Sequence, residues 1–118
     1  MPIAVATSRN TMATYYGTQW SWIGLATGDP GTSATPSNEA TGGSPAYARK
    51  QTTWGTAASS AITGSAVTID LPAGTYTHFL YASAVTLASA NMGDKGTITS
   101  STLPTQGQLI VTPSFTMS

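Results

Sequence analysis

Short runs of alternating apolar and polar residues, each closed by a turn signal, constrain the fold of this chain more than any other sequence feature. Val67, Ile69 and Leu71 alternate with Ala66, Thr68 and Asp70, and Pro72-Ala73-Gly74 closes the run. Successive side chains of a strand point to opposite faces of a sheet, so a period of two predicts a half-buried β-strand. Residues 66–71 are the clearest example in the chain.

The same pattern predicts several further strands and little helix. Strands are predicted over residues 19–27, 47–54, 75–82, 96–103 and 108–113, and Phe115 and Met117 are candidates to finish the sheet. We expect strand 66–71 to pair with strand 75–82 across the Pro-Ala-Gly turn. Residues 8–16 have a helical option, with Asn10 or Thr11 as the cap. Residues 28–46 are rich in Gly, Pro, Ser and Thr and predict an ordered surface loop.

Composition supports a fold built from sheet. The chain has 118 residues, of which 22 are Thr and 14 are Ser. Thr loses χ1 freedom in a helix and packs well on strands. The length allows one domain, which we expect to span residues 1–118. The sequence therefore predicts an all-β fold, a small antiparallel β-sandwich or jelly-roll-like barrel of about six to eight strands, with at most one short amino-terminal helix.

Charge and cysteine content exclude several classes of partner and site. Four basic and four acidic residues give a net charge of zero, and no cysteine is present for a disulfide or a thiolate site. A nucleic acid or an anionic membrane needs several clustered cations, whereas Arg9, Arg49, Lys50 and Lys95 are few and scattered. No run approaches the roughly 18 apolar residues of a membrane span. The first six residues do not resemble a secretory signal, so we expect synthesis in a cytoplasm.

Catalysis lacks its usual components. The one imidazole, His78, falls in the middle of an apolar strand, where a packed histidine bonded to a neighbour is favoured over a catalytic base. The four acids, Asp29, Glu39, Asp70 and Asp94, occupy separate turns or strands and show no metal-binding spacing. We therefore expect no enzymatic activity, no catalytic residue, no metal ligand and no cofactor.

Glu39 and Arg49 flank the long loop and are candidates for a structural ion pair. A protein with few charges seldom places ions without partners, so a bidentate bridge is expected to pin the loop to the strand that begins at Tyr47. The alternative is a pair of solvated side chains worth less than about 1 kcal/mol.

Three tryptophans, Trp20, Trp22 and Trp54, are the largest side chains available for burial. Aromatic faces also stack on sugars, so a carbohydrate platform is an alternative. Their placement at a period of two favours a core or an interface.

Four segments carry a resemblance to a known family. They are residues 22–31 (Trp-Ile-Gly-Leu-Ala-Thr-Gly-Asp-Pro-Gly), 38–43 (Asn-Glu-Ala-Thr-Gly-Gly), 47–50 (Tyr-Ala-Arg-Lys) and 53–54 (Thr-Trp). In these segments, and more loosely towards its end, the chain resembles a family of tailed-bacteriophage virion proteins. The resemblance implies a small β-sandwich structural protein of the virion. The motif residues expected to shape the structure are Asp29, Pro30, Gly31, Glu39, Tyr47 and Arg49.

The resemblance implies a virion but leaves the choice between head and tail to physical argument. The chain has no heptads and no collagen-like repeat to project it from a particle, which favours a head decoration protein on the outer capsid surface. Its expected partners are the major capsid protein and copies of itself, with a trimer as one arrangement. Loop 28–46 and the amino end are the expected contacts. The alternative is a tail-fibre or tail-tip module that binds host surface glycan through exposed Trp or Tyr.

Overall fold

The computed structural model describes residues 4–87 and 89–116. Within these residues one helix precedes eight strands. They are α1 (Ala6–Gln19), β1 (Trp22–Ala26), β2 (Lys50–Gln51), β3 (Ala61–Thr63), β4 (Val67–Leu71), β5 (Gly74–Ala82), β6 (Met92–Leu103), β7 (Gly107–Val111) and β8 (Ser114–Thr116). The all-β prediction, with one short amino-terminal helix, is confirmed.

The strands form one four-stranded sheet and two ribbons, all antiparallel. The sheet has the order β2-β1-β5-β6, and the ribbons pair β3 with β8 and β4 with β7. β1 and β5 are the inner strands of this sheet, and the second half of β5 pairs with both β1 and β6. The two strands of each ribbon are far apart in sequence. Each ribbon therefore forms only when a strand near the carboxyl end, β7 or β8, packs beside an earlier strand.

The core lies between the four-stranded sheet and the β4-β7 ribbon. Ile23 and Leu25 of β1 are fully buried, and they join a cluster that contains Val67, Ile69 and Leu71 of β4. Because alternate side chains of a strand face opposite sides, β1 directs Trp22 away from this core. Trp22 packs on a second, smaller cluster of Leu80, Ala82 and Met92, so β1 has apolar contacts on both faces.

The helix is longer than predicted and begins differently. It covers residues 6–19 instead of 8–16, and Val5 precedes it without a side-chain cap. Asn10 lies inside the helix, where its Oδ1 accepts a hydrogen bond from the backbone N–H of Ser60 at 2.9 Å. The predicted cap at Asn10 or Thr11 was wrong, because this long-range contact fixes Asn10 in the body of the helix.

Two predicted strands are at least four residues shorter in the structure. The prediction over residues 19–27 retains only β1, since Gln19 belongs to α1. The prediction over residues 47–54 retains only β2, because Arg49 and Thr52 are buried and make other contacts. The Thr52 N–H donates to the carbonyl of Ser21, which directly precedes β1.

The predicted hairpin between residues 66–71 and 75–82 was wrong. β4 pairs with β7 and β5 pairs with β1 and β6, so Pro72-Ala73-Gly74 carries the chain from the ribbon to the sheet. The Tyr76 hydroxyl donates to the Pro72 carbonyl at 2.7 Å and secures this crossing. At the carboxyl end, Phe115 lies in β8 as predicted, whereas Met117 lies outside the described residues.

Candidate functional site

Arg49 and Glu39 form a buried bidentate ion pair beside β1. The Arg49 Nε lies 2.7 Å from Glu39 Oε2, and the Arg49 Nη2 lies 2.8 Å from Glu39 Oε1. The two side chains are 0% and 7% exposed. Two parallel charge-assisted bonds in a buried site give this pair both strength and a fixed geometry. The structure therefore brings together the two ions that the sequence singled out.

The third nitrogen of the guanidinium joins this pair to a second loop. Arg49 Nη1 lies 2.9 Å from the carbonyl oxygen of Ala84, 3.0 Å from that of Thr86 and 2.7 Å from Asn91 Oδ1. Arg49 thus connects loop 28–46 with the segment between β5 and β6. Asn91 could not be predicted as a partner from the sequence, because no residue near it marks its amide as the partner of a distant cation.

Tyr47 completes the coordination of the Glu39 carboxylate. Its hydroxyl donates to Glu39 Oε2 at 2.7 Å and accepts the backbone N–H of Leu25 at 3.2 Å. Burial, together with the negative charge of Glu39, raises the pKa of the Tyr47 phenol above its ordinary value. A Cβ at Gly24 would lie 2.5 Å from the Tyr47 hydroxyl oxygen. Glycine at this position is what allows the cluster to approach β1.

The Asp29-Pro30-Gly31 turn begins the loop with a local hydrogen bond and an ion pair. Asp29 Oδ1 accepts the Gly31 N–H at 2.8 Å and lies 2.5 Å from Lys95 Nζ on β6. The hydrogen bond from Lys95 lowers the pKa of Asp29 below its ordinary value. Pro30 is buried, and Gly31 adopts a φ of +86° that favours glycine.

Further hydrogen bonds hold the rest of loop 28–46 in one conformation. The Thr27 N–H donates to the Asn38 carbonyl, and the Ala40 N–H donates to the Leu25 carbonyl, which together close the loop against β1. The Met92 N–H donates to the Ala34 carbonyl at 2.9 Å. The loop is therefore ordered by tertiary contacts while much of its surface faces solvent.

Each of the three tryptophans is half-buried and has a packing role. Trp20 lies over Gly93 so closely that a Cβ there would meet its indole ring. Trp54 donates its indole N–H to the Trp20 carbonyl at 3.1 Å, and Trp22 packs on the opposite side of the sheet. The structure thus brings Trp20 and Trp54 together and keeps Trp22 apart from them.

Two large apolar side chains of α1, Met12 and Tyr15, are exposed, and so is Val5, which directly precedes the helix. Val5, Met12 and Tyr15 are 60%, 47% and 56% exposed. Met12 and Tyr15, with Tyr16, line a cavity of about 390 Å³ that also touches Gln19 and Trp20. The sequence placed Met12, Tyr15 and Tyr16 on one side of a helix, but it did not show which of them the sheet would cover.

Tyr16 is the member of this face that also holds the helix on the sheet. Its ring stacks on Phe115 with 3.6 Å between centroids, and its hydroxyl donates to Asp94 Oδ2 at 2.5 Å. Burial and the bond to Asp94 raise the pKa of Tyr16. Tyr16 thereby fixes the position of the exposed Met12 and Tyr15.

His78 and Asp70 each have a hydrogen-bond partner in the structure. His78 is half-buried, with its Nδ1 at 2.8 Å from the Thr77 hydroxyl. The Asp70 carboxylate accepts a hydrogen bond from the Gln108 amide at 2.7 Å. Among residues 4–87 and 89–116, no three acidic, histidine or cysteine side chains converge as a metal site. No helix in the same part of the chain combines the length and apolar character needed to cross a bilayer.

Comparison with known proteins adds no relative. No protein-family model, no curated protein and no solved structure matches this chain.

Proposed function

We propose that this chain is a non-enzymatic structural protein of a bacteriophage virion, a head decoration protein that binds the outer capsid surface and stabilises the shell. The proposal starts from the resemblance carried by residues 22–54. The observation in the structure that supports it best is the exposed apolar face of α1, which lies near the amino end of the chain.

The apolar face of α1 has the character of an attachment surface. Met12 and Tyr15 are three positions apart in the sequence and so lie on the same side of the helix. Soluble monomers seldom expose contiguous large apolar side chains, and such patches mark sites of contact with other proteins. Aromatic residues and methionine are enriched at the centres of interfaces. The capsid surface is the partner that the proposal assigns to this face.

Loop 28–46 supplies a second contact that is already ordered. Because the Arg49-Glu39 pair and the backbone bonds around it fix the loop, binding costs little additional conformational entropy. A decoration protein is present in many copies, so modest contacts of this kind add across the particle.

The charge distribution suits a repeating array of copies. Arg49 is paired with Glu39, and Lys95 is paired with Asp29. A surface with little net charge avoids the like-charge repulsion that symmetry would otherwise repeat at every interface.

Immunogold electron microscopy of the intact virion tests the proposed location. We expect label spread evenly over the head. Label confined to the tail would overturn the decoration proposal and favour the tail module that binds host glycan.

Capsid binding tests the proposed contact surface. Met12→Glu places a charge in the apolar face, whereas Thr11→Glu places the same charge at a neighbouring exposed position of α1. In co-sedimentation with expanded empty capsids, we expect Met12→Glu to bind about tenfold more weakly than the control. Equal binding of the two variants would exclude this face as the capsid contact.

A further inference from the structure

A cleft between α1 and the segment that follows β2 is separate from both proposed capsid contacts. It has a volume of about 440 Å³, within the range of about 300–1,000 Å³ common for small-molecule sites. Thr14 and Thr18 line it from the helix, and Gln51 and Thr53 line it from the opposite segment. The exposed Met12 and Tyr15 border a different cavity on another side of the helix.

The floor of the cleft is apolar and is set by a close helix contact. A Cβ at Gly17 would lie 2.9 Å from Trp54 Cγ and 3.1 Å from Ile62 Cδ1. Glycine therefore lets the helix rest directly on Trp54. Trp54 and Ile62 line the cleft together with Thr14 and Thr18 of the helix.

The walls of the cleft carry hydrogen-bonding groups without charge. Thr14, Thr18, Ser21 and Thr53 supply hydroxyls, and Gln51 supplies an amide. The Thr18 hydroxyl donates its proton to the Tyr15 carbonyl at 2.7 Å, so it remains available to a ligand as an acceptor. None of the residues that line the cleft is ionic. By contrast, the cavity beside Gly31 contains Asp94 and Lys95.

These features match the chemistry of an uncharged sugar. A pyranose ring presents hydroxyls at its rim, which need neutral donors and acceptors, and apolar C–H faces, which pack on an indole. A charged ligand would lose water in this cleft without gaining an ionic partner. We propose that the cleft between α1 and residues 51–55 binds a neutral saccharide.

The groups that would contact the saccharide are already held in place. The Trp54 indole N–H donates to the Trp20 carbonyl, and its ring has edge contacts with Tyr16 and Tyr81. Gln51 donates from Nε2 to the Ser21 hydroxyl at 3.1 Å. Side chains fixed before binding lose little entropy when the ligand arrives. The site needs no capsid and is present in the free protein.

Titration of the full ¹⁵N-labelled chain by NMR tests the proposal. The probes are cellotriose, maltotriose and tri-N-acetylchitotriose, with trigalacturonate as the anionic comparison. We expect at least one neutral trisaccharide to shift the Trp54 indole signal and the amides of residues 51–54 in a saturable manner. We expect trigalacturonate to bind more weakly.

Variants with matched controls locate the binding. Gln51→Ala and Thr18→Ala each remove one polar group from the exposed wall, and we expect each to weaken binding about three- to tenfold. Gln19→Ala and Thr11→Ala make the same changes on α1 outside the cleft and should leave affinity unchanged. Circular dichroism melts identify any variant that has lost its fold.

Two results would overturn the proposal. One is the absence of saturable shifts with all three neutral probes up to their solubility limits. The other is equal binding by the cleft variants and their folded controls. Either result leaves the capsid assays unaffected, so failure of this proposal is distinguishable from failure of the decoration proposal.

Discussion

Replacing Arg49 by methionine tests whether the buried ion pair is a main support of the fold. The guanidinium makes five close N–O contacts, two with Glu39 and three with the segment between β5 and β6. Methionine fills a similar volume but leaves a buried carboxylate whose remaining hydrogen bond comes from Tyr47. Breaking a buried pair in this way costs about 3–5 kcal/mol. That is a large part of a typical stability of about 5–15 kcal/mol.

Urea unfolding of a double-mutant cycle measures the coupling within the pair. The cycle compares Arg49→Met, Glu39→Gln and the double variant with the parent chain. Because each single variant leaves a buried polar group without its ionic partner, the two losses should not add. We expect a coupling free energy of about 2 kcal/mol.

The exposed pair of Asp29 and Lys95 is the control for this experiment. Asp29 is more than half exposed, so Lys95→Met should change the free energy of unfolding by less than about 1 kcal/mol. A coupling below about 0.5 kcal/mol between Glu39 and Arg49 would refute the reasoning. So would a loss on Arg49→Met no larger than that on Lys95→Met.

Three further predictions concern packing and pH. Gly93→Ala forces a methyl group into the Trp20 indole, so we expect thermal unfolding to show a loss of about 1–3 kcal/mol, and an unchanged melting temperature would contradict this contact. Above about pH 10 the unfolded chain ionises its tyrosines, while the raised pKa of buried Tyr47 keeps its proton in the native state. Stability should therefore fall by about 1.4 kcal/mol per pH unit on account of Tyr47, and Tyr47→Phe should show a shallower loss in alkaline urea titrations. Because the pKa of Asp29 is lower in the native state than in the unfolded chain, its carboxylate stabilises the fold above the unfolded-state pKa. This contribution is lost as the pH falls through the native-state pKa. Carbon-13 NMR titration should show a higher Asp29 pKa in Lys95→Met than in the parent chain.

Local pattern predicted the strands whose two faces differ most in polarity. β4 was predicted with its observed end and one residue too many at its start, because three buried apolar residues alternate with Ala66, Thr68 and Asp70 and a proline follows. The strand over residues 47–54 was overextended because its alternation mixed polar and apolar side chains on both faces. Only two of its residues pair as a strand, since the tertiary contacts of Arg49 and Thr52 replace the expected ladder.

Pairing between strands followed from no local signal. Pro72-Ala73-Gly74 has the composition of a hairpin turn. The strand before it, β4, and the strand after it, β5, nevertheless belong to different sheets. The choice depends on which partner completes the burial of Val67, Ile69 and Leu71, and that partner is β7 near the end of the chain. A turn sequence limits backbone angles, whereas the burial of a strand face is decided by the whole chain.

The candidate site divides in the same way. Scarcity of charge pointed to Glu39 and Arg49 as partners, because an ion without a counterion is costly to bury. The sequence did not reveal that Asn91 and two carbonyls on another loop complete the Arg49 site. It also did not reveal the cleft beneath α1, whose floor exists because Gly17 lets the helix rest on Trp54.

The all-β class follows from the sequence, which also indicates a short amino-terminal helix and a pairing of Glu39 with Arg49. These features depend on side-chain alternation and β-branching, which act between neighbouring residues, and on the small number of charged residues, each of which needs a partner when buried. The tertiary structure alone decided the strand order, the exposed face of α1 and the neutral cleft. Each of these depends on which distant surfaces meet, and that is fixed by the burial of the whole chain at once.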